Sequence, residues 1–183
     1  LRGLFYRVNY SYKDRYMLEA NGRYDGTSRF PKNNRFGFFP SFSAGWRISE
    51  EPFMTATRDV LSNFKFRASW GSIGNQIILL ADGSPDNYPY IPEMAPGLTN
   101  WLVDGQRPTT LSTPPMVSSA FTWEKVYTLD FGVDFGFFDN RLNGTFDWYR
   151  RDTKGMLAPG MDLPWVVGVA AAKQNAANLK TYG

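Results

Sequence analysis

The chain contains no cysteine and no histidine. The first absence excludes disulfides. The two together exclude Cys/His zinc centres, histidine general bases and the Ser-His-Asp and Cys-His arrangements of nucleophilic catalysis. No stretch approaches the ~18 consecutive apolar residues of a membrane-crossing helix, and mean hydropathy is negative at −0.38. An excess of one charge is missing too: 20 Lys and Arg stand against 17 Asp and Glu. The two signs are interspersed rather than clustered, which gives nucleic-acid binding little support. Leu1-Arg2-Gly3-Leu4 carries no initiator Met, basic n-region or apolar h-region, so no signal peptide is expected. The abrupt start and finish read as those of a fragment.

What is present is alternation. Leu4, Tyr6, Val8, Tyr10 and Tyr12 fall on one face of an extended run, and Phe5, Arg7, Asn9 and Ser11 on the other. After Lys13-Asp14-Arg15 the pattern resumes with Tyr16, Leu18, Ala20, Gly22 and Tyr24 against Met17, Glu19, Asn21, Arg23 and Asp25. Period 2 specifies β-strand. A ~9–11-residue strand with one apolar, tyrosine-ended face and one charged face suits a wall with lipid outside and water inside, where the absence of long apolar runs is expected. Four further runs follow the same rule, over residues 36–48, 63–71, 126–137 and 142–151.

Connections alternate short and long. Tight turns are expected at 13–15 and 138–141. After residue 48, Ser49 as N-cap, Glu50 and Glu51, and apolar residues at helical spacing predict a short helix. Segments 26–35, 72–120 and everything after 152 read as long loops. Short turns on one side and long loops on the other place the long loops outside the cell. The aromatics agree. Tyr12, Tyr16, Trp46, Phe64 and Phe137 fall toward the short-turn rim, and Tyr24, Phe38, Trp70, Tyr127 and Trp148 toward the other, as two interfacial girdles should. Pairing Tyr12 with Tyr16 sets Tyr6 over Gly22; pairing Phe137 with Leu142 sets Phe131 against Trp148.

Six strands cannot close a barrel in lipid, for which ~8 is the smallest single-chain number. The expected fold is therefore all-β: an antiparallel transmembrane β-barrel segment of about six strands from a larger barrel, with long extracellular loops and one short periplasmic helix. Inward charges are balanced, with Arg7, Arg23, Arg47, Lys65, Arg67 and Arg151 against Glu19, Asp25, Asp130, Asp134 and Asp147. They read as ion pairs that stiffen the wall. Asp130 and Asp134 lie ~13 Å apart by strand rise, too far for a glycosidase carboxylate pair. Gly71-Ser72-Ile73-Gly74-Asn75-Gln76 lacks the Gly-Lys-Ser/Thr ending of a phosphate loop and reads as a strand running into a loop. No catalytic residue, cofactor site or metal site is expected. Candidate ligand contacts are Tyr88, Tyr90, Trp101, Asp104 and Arg107 in the 72–120 loop, which also holds Asp82, and Trp165 in the segment after 152. Rings beside amides and carboxylates suit stacking on sugars with hydroxyl hydrogen bonding.

Several motifs resemble the SusC/RagA family of TonB-dependent outer-membrane transporters. They are Tyr12-Lys13-Asp14-Arg15-Tyr16, Ala20-Asn21-Gly22-Arg23-Tyr24-Asp25-Gly26, Phe39-Pro40-Ser41-Phe42-Ser43-Ala44-Gly45-Trp46-Arg47 and Phe66-Arg67-Ala68-Ser69-Trp70-Gly71-Ser72-Ile73-Gly74-Asn75-Gln76. Trp123-Glu124-Lys125, Leu142-Asn143-Gly144, Asp147-Trp148-Tyr149 and Asn175-Ala176-Ala177 fit as well. The resemblance implies a 22-stranded barrel filled by an N-terminal plug, opened by the TonB complex and lidded by a SusD-like lipoprotein. Oligosaccharides or, in some members, peptides would be the cargo. It implies no enzyme. Residues 1–183 would then be part of the barrel domain, without plug, TonB box or terminal strands. A passive porin or adhesin-like barrel is the alternative on alternation alone. A secreted carbohydrate-binding β-sandwich would need a continuous apolar core, which the charged second face opposes.

Overall fold

A computed structural model describes residues 2–79, 83–118, 120–158, 160, 163–169 and 171–183. Its strands are β1 (Arg2–Tyr12), β2 (Tyr16–Gly26), β3 (Phe36–Arg47), β4 (Leu61–Asn75), β5 (Pro96–Leu98), β6 (Thr109–Leu111), β7 (Glu124–Phe137), β8 (Leu142–Ala158) and β9 (Gln174–Tyr182). Seven of them form one antiparallel sheet in the order β1-β2-β3-β4-β7-β8-β9, while β5 and β6 make a separate hairpin. The sheet is an open panel with β1 and β9 as its two edges.

The register follows the side-chain pattern. Tyr12 pairs with Tyr16 and Tyr6 with Gly22, and the Tyr6 ring lies where a β-carbon on Gly22 would stand. Phe137 pairs with Leu142 and Phe131 with Trp148. The last two rings stack at 6.1 Å between centroids. One outer face thus carries Leu4, Val8, Leu18, Phe42 and Phe146, all exposed, because in a barrel wall the apolar side meets hydrocarbon rather than a protein core.

Charge marks where the apolar band ends. Above Trp148 on the outward face of β8 come Arg150 and Asp152, paired at 2.9 Å, and Lys154 lies over the Tyr127 ring at 5.5 Å. On β7 and β8, Tyr127 and Trp148 are therefore the last outward rings before charged side chains take over. Strands β4, β7 and β8 continue past this level, and β9 pairs with β8 from Ala158 down to Arg150.

Two expectations change. The sheet has seven strands because β9, expected to be loop, is one. The predicted helix after residue 48 is a pair of 3-10 turns, Ile48–Glu50 and Pro52–Thr57. Ser49 does not cap: it sits buried within the first turn, and its hydroxyl has no partner among the described residues. Pro52 removes a backbone donor and disfavours helical backbone at Glu51, which splits the segment.

Candidate functional site on the luminal face and loop end

The inward face is an ion-pair lattice. Arg7 donates to Glu19 at 2.8 Å, and Arg23 reaches Asp25 at 2.6 Å. Arg67 forks onto Asp134 through Nε at 2.9 Å and Nη2 at 3.0 Å, and its Nη2 also reaches Asp147 at 2.8 Å. Thr145 donates to the same Asp134 at 3.2 Å. This convergence needs Gly132, whose β-carbon would collide with the Arg67 guanidinium and with Asp147. The planar fork suits carboxylates in a way an ammonium does not. Each of these four carboxylates lies within ion-pair distance of an arginine.

Above the Ser41–Gly71 pair, β3 and β4 part. The gap is closed by Phe30, Phe39, Ile78, Phe121 and Trp123, all buried, with Tyr90 and Leu157 packed on them. Trp123 stands edge-on to Phe30 and Phe39 at 5.4 and 5.2 Å, and its indole N–H donates to the Arg35 carbonyl at 3.3 Å. Asn34 donates to the Phe121 carbonyl at 3.0 Å. Asn175 donates to the carbonyls of Thr122 and Gly155 at 3.1 and 2.7 Å and accepts from the Thr122 N–H at 3.2 Å. Three connections are knitted into one platform.

Two hollows meet there. One of about 650 Å³ opens on the inward face among Phe5, Arg7, Arg23, Phe39 and Gln76. A polar one of about 350 Å³ lies among Thr27, Arg29, Gln76, Asn87 and Tyr88. Gln76 lines both, and its side-chain carbonyl is buried with no partner among the described residues. Arg29 donates to Asn87 at 3.0 Å.

The candidate residues separate into two groups. Tyr88 is half exposed beside Arg29 and Asn87. Tyr90 is a platform residue, its hydroxyl donating to the Ser28 carbonyl at 3.3 Å. Trp101, Asp104 and Arg107 belong to the β5–β6 hairpin instead. Trp101 is exposed, Asp104 takes the left-handed conformation of the turn at φ 49°, and Arg107 donates to the Thr99 carbonyl and to Asn100 at 2.6 and 3.1 Å. That guanidinium shapes its own loop. Trp165 opens a 3-10 turn (Trp165–Val167); its side chain, like Asp82, lies outside the described residues. Sequence reading missed Arg29, Gln76 and Asn87. Gln76 was noted only as the end of the stretch 71–76 that runs from strand into loop, and Arg29 and Asn87 carry no local signature.

An antiparallel panel with an apolar, aromatic-rimmed outer face and a charge-paired inner face is the wall of an outer-membrane β-barrel. The family model described as TonB dependent receptor-like, beta-barrel matches residues 2–183, and the chain belongs to that family. TonB-dependent receptors are outer-membrane proteins, not enzymes. Among relatives, the chain is 37% identical over 185 residues to TonB-dependent receptor SusC of Bacteroides thetaiotaomicron, covering 98% of this chain and 17% of that protein. It is 33% identical over 183 residues to TonB-dependent receptor P3 of Formosa agariphila, covering 100% and 17%. Among solved structures, the RagAB peptide importer in its closed-closed state superposes with a TM-score of 0.78 at 26% identity, over 98% of this chain and 18% of that one. The RagAB peptide transporter gives 0.77 at 27%, over 99% and 18%. The chain thus spans about a sixth of the length of the relatives it matches.

Proposed function

We propose that this chain is one wall panel of a TonB-dependent importer that carries oligosaccharides or peptides across the outer membrane. In this reading the panel is part of a 22-stranded barrel filled by a plug. The TonB complex opens the plug, and a SusD-like lipoprotein covers the mouth. The observation that carries the reading is the 37% identity to SusC along 98% of this chain; the fold similarity to a peptide importer supports it. The inner lattice keeps a rigid, nearly neutral wall past which cargo moves without being chemically altered. Ligand contact on this panel falls at the junction of the two hollows, where Tyr88 offers a half-exposed ring and Gln76 lines both. The Arg29–Asn87 pair borders both groups. Trp101, Asp104 and Trp165 would contribute from the neighbouring loops.

The test uses the intact receptor in cells. Deleting its gene should abolish uptake of the oligosaccharide or peptide it serves, and so should deleting the TonB gene. Uptake that needs the receptor but survives loss of TonB would mean a passive porin. A surface lipoprotein co-purifying with the receptor is expected, and its absence would remove the lid from the proposal.

A further inference from the structure

The segment between β3 and β4 runs along the short-turn rim. Its centre is Glu51, 7% exposed. One carboxylate oxygen accepts from the Tyr16 hydroxyl at 2.6 Å and from the Trp46 indole N–H at 3.1 Å. The other lies 3.5 Å from Arg15. Tyr16 and Trp46 pair across β2 and β3 and stack at 6.4 Å. Both belong to the outward, apolar set of their strands. Rings at a membrane interface ordinarily turn their polar tips to water or headgroups. Here a protein carboxylate takes both tips, so Glu51 must sit on the outward side of the rim.

We propose that residues 48–60 form a strap that lies on the membrane interface of the periplasmic leaflet, with Glu51 as the lock and Phe53 as the group resting among phospholipid headgroups. Phe53 is 68% exposed and Val60 52%, in a segment otherwise tied down. Arg58 donates to the Ser49 carbonyl and to Glu50 at 3.1 and 3.0 Å, and Val60 accepts from the Phe138 N–H at 2.9 Å. Strands outside this chain would join the panel at β1 and β9. The strap lies between β3 and β4, whose other neighbours β2 and β7 are both present. Further wall therefore does not cover its outward side, and a plug would lie on the opposite, inward side. What adjoins the aromatic girdle there is lipid. Burying an exposed ring in the headgroup layer is favourable. The Glu51 carboxyl is held below the ordinary glutamate range, first by the Tyr16 hydrogen bond, then by that from Trp46, with the Arg15 charge adding to both; the lock is therefore charged at neutral pH.

The test places a nitroxide at Phe53→Cys in the intact receptor, cleared of any other cysteine and reconstituted in phosphatidylethanolamine/phosphatidylglycerol vesicles. Collision with oxygen, which concentrates in lipid, is compared with collision with a water-soluble nickel chelate. Phe42→Cys serves as the lipid control and Asp14→Cys as the aqueous one. Position 53 should resemble Phe42 far more than Asp14, and adding Glu51→Ala should shift it to the aqueous value while heat-resistant gel migration shows the barrel still folded. An aqueous value in the otherwise unaltered receptor overturns the proposal, and so does shielding from both reagents, which would mean a protein partner. A lipid value unchanged by Glu51→Ala overturns the lock. The measurement without the Glu51 change stands whether or not that variant inserts.

Discussion

The two ends of the panel are held by opposite means. At the short-turn rim, one carboxylate gathers two girdle rings and an arginine, and the chain barely leaves the wall before re-entering it. At the loop end, five buried apolar side chains fill the gap where β3 and β4 part. The difference follows from what lies outside. Within the membrane, hydrocarbon takes up the apolar face and the backbone is satisfied strand to strand. Beyond it, water lies on both sides, and only a conventional core holds long connections together. One chain therefore folds by two sets of rules, with the boundary at Trp148 and Tyr127.

Trp123→Ala should cost about 3–5 kcal/mol at the loop end, the range for a large buried aromatic replaced by a methyl group. Because that core lies outside the membrane, the wall should survive. Protease added to intact cells should cut residues 72–120 readily while heat-resistant migration is retained. A barrel that fails to insert would show that the two ends are not separable. Next, Arg67→Ala leaves Asp134 and Asp147 facing each other without their shared cation. About 1–2 kcal/mol should be lost, a charged hydrogen-bond value discounted for the third of the side chain that remains in water. A lower urea midpoint for the folded band reads this, and Arg67→Lys should recover only part because it cannot fork. The smallest effect is the rim's response to acid. Glu51 titrates below its ordinary value, so its contribution is present above that value and is lost as pH falls through the depressed one. The urea midpoint should differ between the parent and Glu51→Gln at pH 7 and 5; the difference should begin to shrink below the ordinary glutamate value of about 4.3 and vanish only once the pH is below the depressed one. A difference that persists in strong acid would remove the charge from the account.

How much of this could be read from sequence divides at the same boundary. Every strand segment that meets lipid showed itself, because lipid on one side and water on the other impose period 2; even the pairings Tyr6–Gly22 and Phe131–Trp148 followed from it. β9 did not, and the reason is physical. It pairs with the part of β8 that stands above Trp148, where no hydrocarbon enforces alternation, and Gln174, Asn175, Asn178 and Lys180 read as loop. The short β5–β6 hairpin and the upward extensions of β4, β7 and β8 were missed or shortened for the same cause. At the candidate site, residue type drew attention to Trp101 and Arg107. The polar hollow is lined instead by Arg29, which the panel's register brings to Gln76, Asn87 and Tyr88 from 47–59 residues earlier in the sequence. The periplasmic helix failed on Pro52, whose effect on Glu51 outweighed the acids and spacing around it.

Asn175 makes the fastening of the outer platform depend on strand register. Its three hydrogen bonds reach Thr122, 53 residues earlier, and Gly155, 20 residues earlier. They tie the end of β7 and the segment before it to β8 and β9, so their geometry is met only when both pairings, β7 with β8 and β8 with β9, are in register. The outer platform sets only once three consecutive strands are correctly in register, so a panel mispaired by one residue would leave its mouth unfastened.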